Sequence, residues 1–195
     1  MAGMVDGERR GAYVAAALRT LDWASGWPGA DGAFRGAERE VDAYYFGPLA
    51  FGLAGRVKEG RRLARYIEGE FLRDGDVNDP ADPGLRSAAN FRNAWLCVGS
   101  QRSGDYGISY PVADRLESCQ NPASGGVAVW WAEDEVERVM DMGTTAAALV
   151  AFLDTGRLEA ARRAGDFLAG RLIGEQPDPA ARFLLRTGWS GAWIS

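Results

Sequence analysis

The sequence predicts an all-α fold of repeated inner/outer helix pairs, and three observations carry that prediction. The stretch Ala50–Arg56, AFGLAGR, returns at Ala151–Arg157 as AFLDTGR. At this offset of 101 positions Ala50, Phe51, Gly55, Arg56, Arg61, Arg62 and Gly69 meet Ala151, Phe152, Gly156, Arg157, Arg162, Arg163 and Gly170, the self-similarity that a stack of helix pairs produces. Each copy also ends an uncharged run and opens an amphipathic one. A helix apolar all round is buried on all sides, whereas one apolar on a single face lies against a core with its other face in water. Alternation of the two is what a double ring of helices requires.

Taken in order, Val14, Leu18 and Leu21 recur at helical spacing between Glu8 and Ser25, and Gly26, Pro28, Gly29 and Gly32 stop that leading outer helix. From Ala43 to Gly55 no charge occurs, so Val41–Ala54 reads as the first inner helix. Gly47-Pro48 within it predicts a kink or a helix start, since an interior proline costs about 3 kcal/mol. Val57–Leu72 carries Leu63, Tyr66, Ile67 and Phe71 on one face and is the first outer helix. Arg73–Gly84, RDGDVNDPADPG, is a run of turn formers. Ser87–Val98 and Tyr110–Gln120 read as the second pair. With Gly104 in the role of Gly55 and Gly156, all three units fit a period near fifty residues, the middle one being the most diverged. After the loop Asn121–Gly126, the run VAVWW reads as a strand or hairpin arm. Gly143–Leu153 and Leu158–Ile173 form the third pair, and the remainder looks like a loop leading to a further unit. Residues 1–195 are thus expected to form one domain, an incomplete one of about three and a half repeats.

Composition narrows the function classes. A net charge of −5 and a pI near 4.9, with no Lys/Arg run longer than a pair, argue against nucleic acid or an anionic membrane as partner. Without a signal-peptide pattern or an apolar segment of membrane length, the expectation is a cytoplasmic protein. Cys97 and Cys119 have no metal-like spacing and read as buried thiols. The absence of histidine removes Ser-His-Asp and Cys-His catalysis and nearly every zinc site, so neither a metal nor another cofactor is expected.

The glycine loops followed by an apolar residue, Gly32-Ala33-Phe34, Gly75-Asp76-Val77 and Gly125-Gly126-Val127, resemble those of α/α toroids of the terpenoid cyclase and protein prenyltransferase type. The segment Gln120–Trp130 is similar to the glutamine-to-tryptophan repeat of squalene cyclases, at longer spacing. The resemblance covers about residues 10–175 and implies a partial α/α toroid. It further implies an enzyme acting on an apolar small molecule by acid catalysis, although the Asp-x-Asp-Asp motif of proton-initiated cyclases is missing. Carbohydrate chemistry on a carboxylate pair and a non-catalytic helical-repeat scaffold stand as alternatives. A ring this short implies a missing C-terminal half, self-association, or an open edge that is itself the binding surface; the expectation is the missing half, because Trp189, Trp193 and Ile194 at the end would otherwise have little to pack against.

The residues placed where inner helices would open into a cavity are the candidate site. Asp42 and Asp141 lead two inner helices and are the candidate acids, with helix capping as the plainer alternative. Tyr44, Tyr45, Trp95, Trp130 and Trp131, together with Phe46, offer aromatic walls, which suit carbocations and sugars and equally suit a core. Asn93, with Asn90 and Arg92, is a polar residue in an otherwise apolar run and a candidate for lining the cavity. Thr144 and Thr145 read as caps. The Arg61/Arg62 and Arg162/Arg163 pairs read as solvent-side or inter-repeat contacts.

Overall fold

A computed structural model describes residues 2–77, 88–175 and 185–194. Among these the chain is mostly helical. The seven α-helices are α1 (Ala2–Ser25), α2 (Gly47–Leu53), α3 (Val57–Glu70), α4 (Ala89–Ser103), α5 (Tyr106–Ser118), α6 (Met142–Asp154) and α7 (Leu158–Asp166), the last continuing as a π-helical stretch, Phe167–Gly174. Helix α2 packs on α3 and on α4, α4 on α5 and α6, and α6 on α7. The apolar runs thus form one continuous layer, α2–α4–α6, and each carries its amphipathic partner. Helix α4 lies in the middle and is the most completely buried. None of the described helices is long and apolar enough to cross a membrane.

The Gly-Arg joint recurs in the backbone. Gly55, Gly104 and Gly156 end α2, α4 and α6 at φ values of +76°, +78° and +76°, the left-handed C-terminal cap that glycine adopts at least cost. In each case the next N–H reaches back to a carbonyl five residues earlier: Arg56 to Phe51 at 2.8 Å, Asp105 to Ser100 at 2.9 Å, Arg157 to Phe152 at 2.8 Å. The side chain at the joint then clasps the helix that precedes the unit; for the first unit this is α1, whose Val14 and Leu18 are exposed rather than packed. Arg56 donates to the Leu21 carbonyl and Ser25 Oγ and pairs with Asp22 on α1. Arg157 donates to the Tyr110 carbonyl and pairs with Asp114 and Glu117 on α5. The middle unit exchanges the charges, Asp105 facing Arg61 of α3 at 3.6 Å.

A second feature recurs three times. Gly32, Gly75 and Gly125 all have positive φ and lie against the backbone of the following amphipathic helix, at Arg62, Pro111 and Arg163. These three are the sixth residues of α3, α5 and α7. The residue two places on donates its N–H to a side chain at the start of the next buried helix: Phe34 to Tyr44 Oη at 2.8 Å, Val77 to Asn93 Oδ1 at 3.0 Å, Val127 to Thr145 Oγ1 at 3.1 Å.

Of the kink or helix start expected at Gly47-Pro48 the structure has the helix start, and three other sequence expectations change in detail. Pro48 sits in the first turn of α2, where its missing N–H is no loss, so the unit opens with a short 3-10 turn, Val41–Ala43, and no kink is needed. The fold is not purely helical: β1 (Val139–Asp141), β2 (Arg186–Gly188) and β3 (Trp193–Ile194) make an antiparallel sheet in that order. Among the described residues the run VAVWW is extended and forms no ladder of its own: it pairs through isolated bridges, Gln120 with Val127 and Ala128 with Met140, and accepts the Asn90 N–H at Val129. The terminal aromatics are packed. Trp189 and Trp193 lie against Met140, Phe167 and Leu172, with Arg138 and Arg171 over their rings. Their β-hairpin, turned at Gly191 (φ +86°), brings them back to the body of the protein, which a helix-period reading cannot foresee. Much of the RDGDVNDPADPG run lies outside the described residues.

Candidate functional site

The structure separates the sequence candidates into three surroundings. Tyr44 belongs to the core. It is fully buried among Phe34, Tyr66 and Phe71, its oxygen accepts the Phe34 N–H, and burial pushes its pKa up to about 12. It is a structural tyrosine and not a cavity wall. Asn93 is likewise fully buried and holds the loop before α4, accepting from Val77 N and donating to Asp76 Oδ1 and Asn90 Oδ1, both at 3.1 Å. Asn90 in turn donates to the Ala128 carbonyl at 2.8 Å. These amides are the answer to burying polar groups in α4: each is matched to a loop backbone or another side chain.

Asp141 and Trp131 belong to the third unit. Asp141 is buried and caps α6, accepting from Thr144 N at 2.6 Å, the capping alternative for this residue. The Trp131 ring is exposed on one side, with the Arg138 guanidinium 4.3 Å and the Arg115 guanidinium 5.3 Å from its centroid. Arg138 itself lies between Trp131 and Trp189, 4.9 Å from the latter, and is buried while donating to the Ala132 carbonyl. Trp130 is half-buried, and its indole N–H has no hydrogen-bond partner among the described residues.

The remaining candidates meet at the start of α2 and α4. Asp42, in the 3-10 turn before α2, receives both Nε and Nη2 of Arg92 from α4. The pair is lopsided: the Arg92 side chain is 5% exposed and that of Asp42 63%. A buried guanidinium requires such a partner. Beside it Tyr45, Phe46, Phe91 and Trp95 form a contiguous aromatic cluster, with centroids 4.5 Å (Tyr45–Phe46), 5.2 Å (Phe46–Trp95) and 6.1 Å (Phe91–Trp95) apart. Phe46 is 42% exposed and the others are half-buried. The Tyr45 hydroxyl pKa is raised, first by burial and then by the charge of Asp42. The Trp95 N–H is buried without a partner among the described residues.

Asp42, Tyr45 and Trp95 are therefore brought together, while Asp141, Tyr44, Asn93 and Trp131 each serve other contacts. Sequence reasoning passed over Phe91, although its place four residues before Trp95 puts both on one face of α4. It passed over Arg138 too, an arginine that the fold sets between the rings of Trp131 and Trp189. No protein-family model, no curated protein and no solved structure matches this chain.

Proposed function

We propose that the chain is a helix-pair repeat protein of α/α-toroid type that binds an apolar small molecule against the aromatic cluster at the head of its buried helices. One observation carries the reading: Tyr45, Phe46, Phe91 and Trp95 make a continuous aromatic surface left partly open, at the end where two buried helices begin. Aromatic walls with a few placed polar groups are the usual material of small-molecule sites. Here Tyr45 and the Asp42–Arg92 pair supply the polar edge. The toroid part is supported by the thrice-repeated glycine cap and glycine loop.

Acid catalysis of the cyclase kind draws less from the geometry than binding does. Asp141 is spent on the cap of α6, and Asp42 faces a guanidinium that holds both its oxygens. Binding is tested with Nile red, an uncharged apolar dye, titrated into the wild type, Phe46→Ala and Trp95→Phe. The expected result is a saturable rise in dye emission, about tenfold weaker in affinity for Phe46→Ala, an exposed position whose loss leaves the core intact. Saturation that is equal in all three proteins, or none in the wild type, refutes the reading.

A further inference from the structure

Helix α3 turns a row of cations, Lys58, Arg61, Arg62 and Arg65, into an open cleft of about 440 Å³ completed by Ala30 and Asp31 of the preceding loop. The spacing i, i+3, i+4, i+7 puts all four on one stripe of the helix, where like charges repel and oppose folding. The internal repeat shows what such a helix looks like when it is neutralised. At the offset of 101, Arg61 corresponds to Arg162, which pairs with Glu159 at 3.3 Å and Asp166 at 2.8 Å on α7 itself. The positions of Glu159 and Asp166 correspond to Lys58 and Arg65. Both acids that balance α7 are thus cations in α3. Arg62 corresponds to Arg163, which donates to Gln120 Oε1 at 2.7 Å.

Internal contacts account for part of this charge only. Arg61 donates to the Ser103 carbonyl at 2.9 Å and faces Asp105, and Arg65 also acts on the Asp105 carboxyl, opposing the upward push that burial gives it. Arg61 is thereby fixed in direction. Among the described residues Lys58, Arg62 and Arg65 make no hydrogen bond or ion pair, and Asp31 is the only acid on the cleft wall. An acidic protein with four cations gathered in one cleft calls for an anion of more than one charge. Guanidinium groups pair two-pronged with phosphate oxygens, and the volume lies within the range of small-molecule sites. The net charge of −5 opposes nucleic acid as the occupant.

We propose that this cleft binds a polyphosphate-bearing small molecule, with Lys58, Arg62 and Arg65 contacting the phosphates and Arg61 as the fixed member of the set. The site shares no residue with the aromatic cluster and stands independently of the function proposed above. Isothermal titration with sodium tripolyphosphate in about 50 mM salt, where surface charge is weakly screened, tests it on the wild type, Arg62→Gln and Lys58→Glu. Lys58→Glu restores the residue type that α7 carries at Glu159, so its helix is expected to be at least as stable as the parent by far-UV circular dichroism. Saturable binding in the wild type and an affinity lower by about tenfold or more in both variants is the expected result. Adenosine triphosphate in place of tripolyphosphate distinguishes the sources. Equal affinity assigns the site to the phosphate chain alone, and tighter binding assigns it to a nucleotide. No heat of binding in the wild type, or variants that bind as the wild type does, overturns the proposal.

Discussion

Gly125→Ala and Gly156→Ala form a matched pair that measures how tightly the units interlock. Both glycines have positive φ, +84° and +76°, so each substitution carries the left-handed penalty of about 1–2 kcal/mol for a residue with a Cβ. Alanine also has fewer unfolded conformations than glycine, which returns about 0.4–1 kcal/mol. The surroundings differ. A Cβ on Gly156 meets no atom within 4 Å, whereas on Gly125 it stands 2.6 Å from the Arg163 carbonyl carbon and closer to its oxygen. Those atoms are α7 backbone and cannot swing aside, so overpacking adds about 1–3 kcal/mol. The expected losses are about 1 kcal/mol for Gly156→Ala and about 2–4 kcal/mol for Gly125→Ala. Urea unfolding followed by circular dichroism reads both, as a lowered midpoint at constant slope. Equal losses refute the view that the Gly125 loop is pressed on α7.

Asn93→Ala removes an acceptor and a donor that join Val77, Asp76 and Asn90, and urea unfolding is expected to show a loss of about 1–3 kcal/mol from the stranded backbone N–H. Thr145→Val keeps shape but leaves the buried Val127 N–H without its acceptor; the same measurement should show about 1–3 kcal/mol, and a neutral result excludes a role for that bond. Stability should also fall in alkali. Burial pushes the Cys97 thiol from 9.0 to about 12 and the Tyr44 hydroxyl from 10.0 to about 12. The folded state then holds more protons than the unfolded state in this window. The contribution is full below about pH 9 and is lost as pH rises towards 12, so the urea midpoint should drop across that range and do so less in Tyr44→Phe. Both thiols are buried, and Ellman's reagent should react with them only once denaturant is added.

The repeat was legible because it is written in glycine and arginine, residues whose backbone and charge requirements survive divergence. Gly55 and Gly156 end their helices in the same left-handed cap, and Arg56 and Arg157 each clasp the helix before. The sites were less legible, because helix start, core and ligand wall draw on the same residue types. Nothing in the order Asp-Ala-Tyr-Tyr-Phe tells that Tyr44 turns to Phe34 and Tyr66 while Tyr45 and Phe46 turn to Phe91 and Trp95; the 3-10 turn at Val41–Ala43 sets that division. The sheet escaped because β1 and β2 lie far apart in sequence, and pairing over such a separation leaves no local period.

The middle unit shows why the most diverged copy can be the most central. Helix α4 touches α2, α5 and α6, so its surface is covered by protein on several sides, and the loops that reach it need side-chain partners deep in the core. The side chains of Asn90, Asn93 and Arg92 supply these to Ala128, to Val77 and Asp76, and to Asp42. Asn93 keeps the acceptor role that Tyr44 and Thr145 fill in the other two units, with a different side chain each time, so the contact repeats while the residue type does not. At the joint the charge pair is kept with its signs exchanged, Asp105 with Arg61 in place of Arg157 with Asp114. That exchange moves positive charge onto α3. Once Asp105 has engaged Arg61 from below, Lys58, Arg62 and Arg65 remain on the open side, so the cationic cleft is in part a consequence of how the middle joint is built.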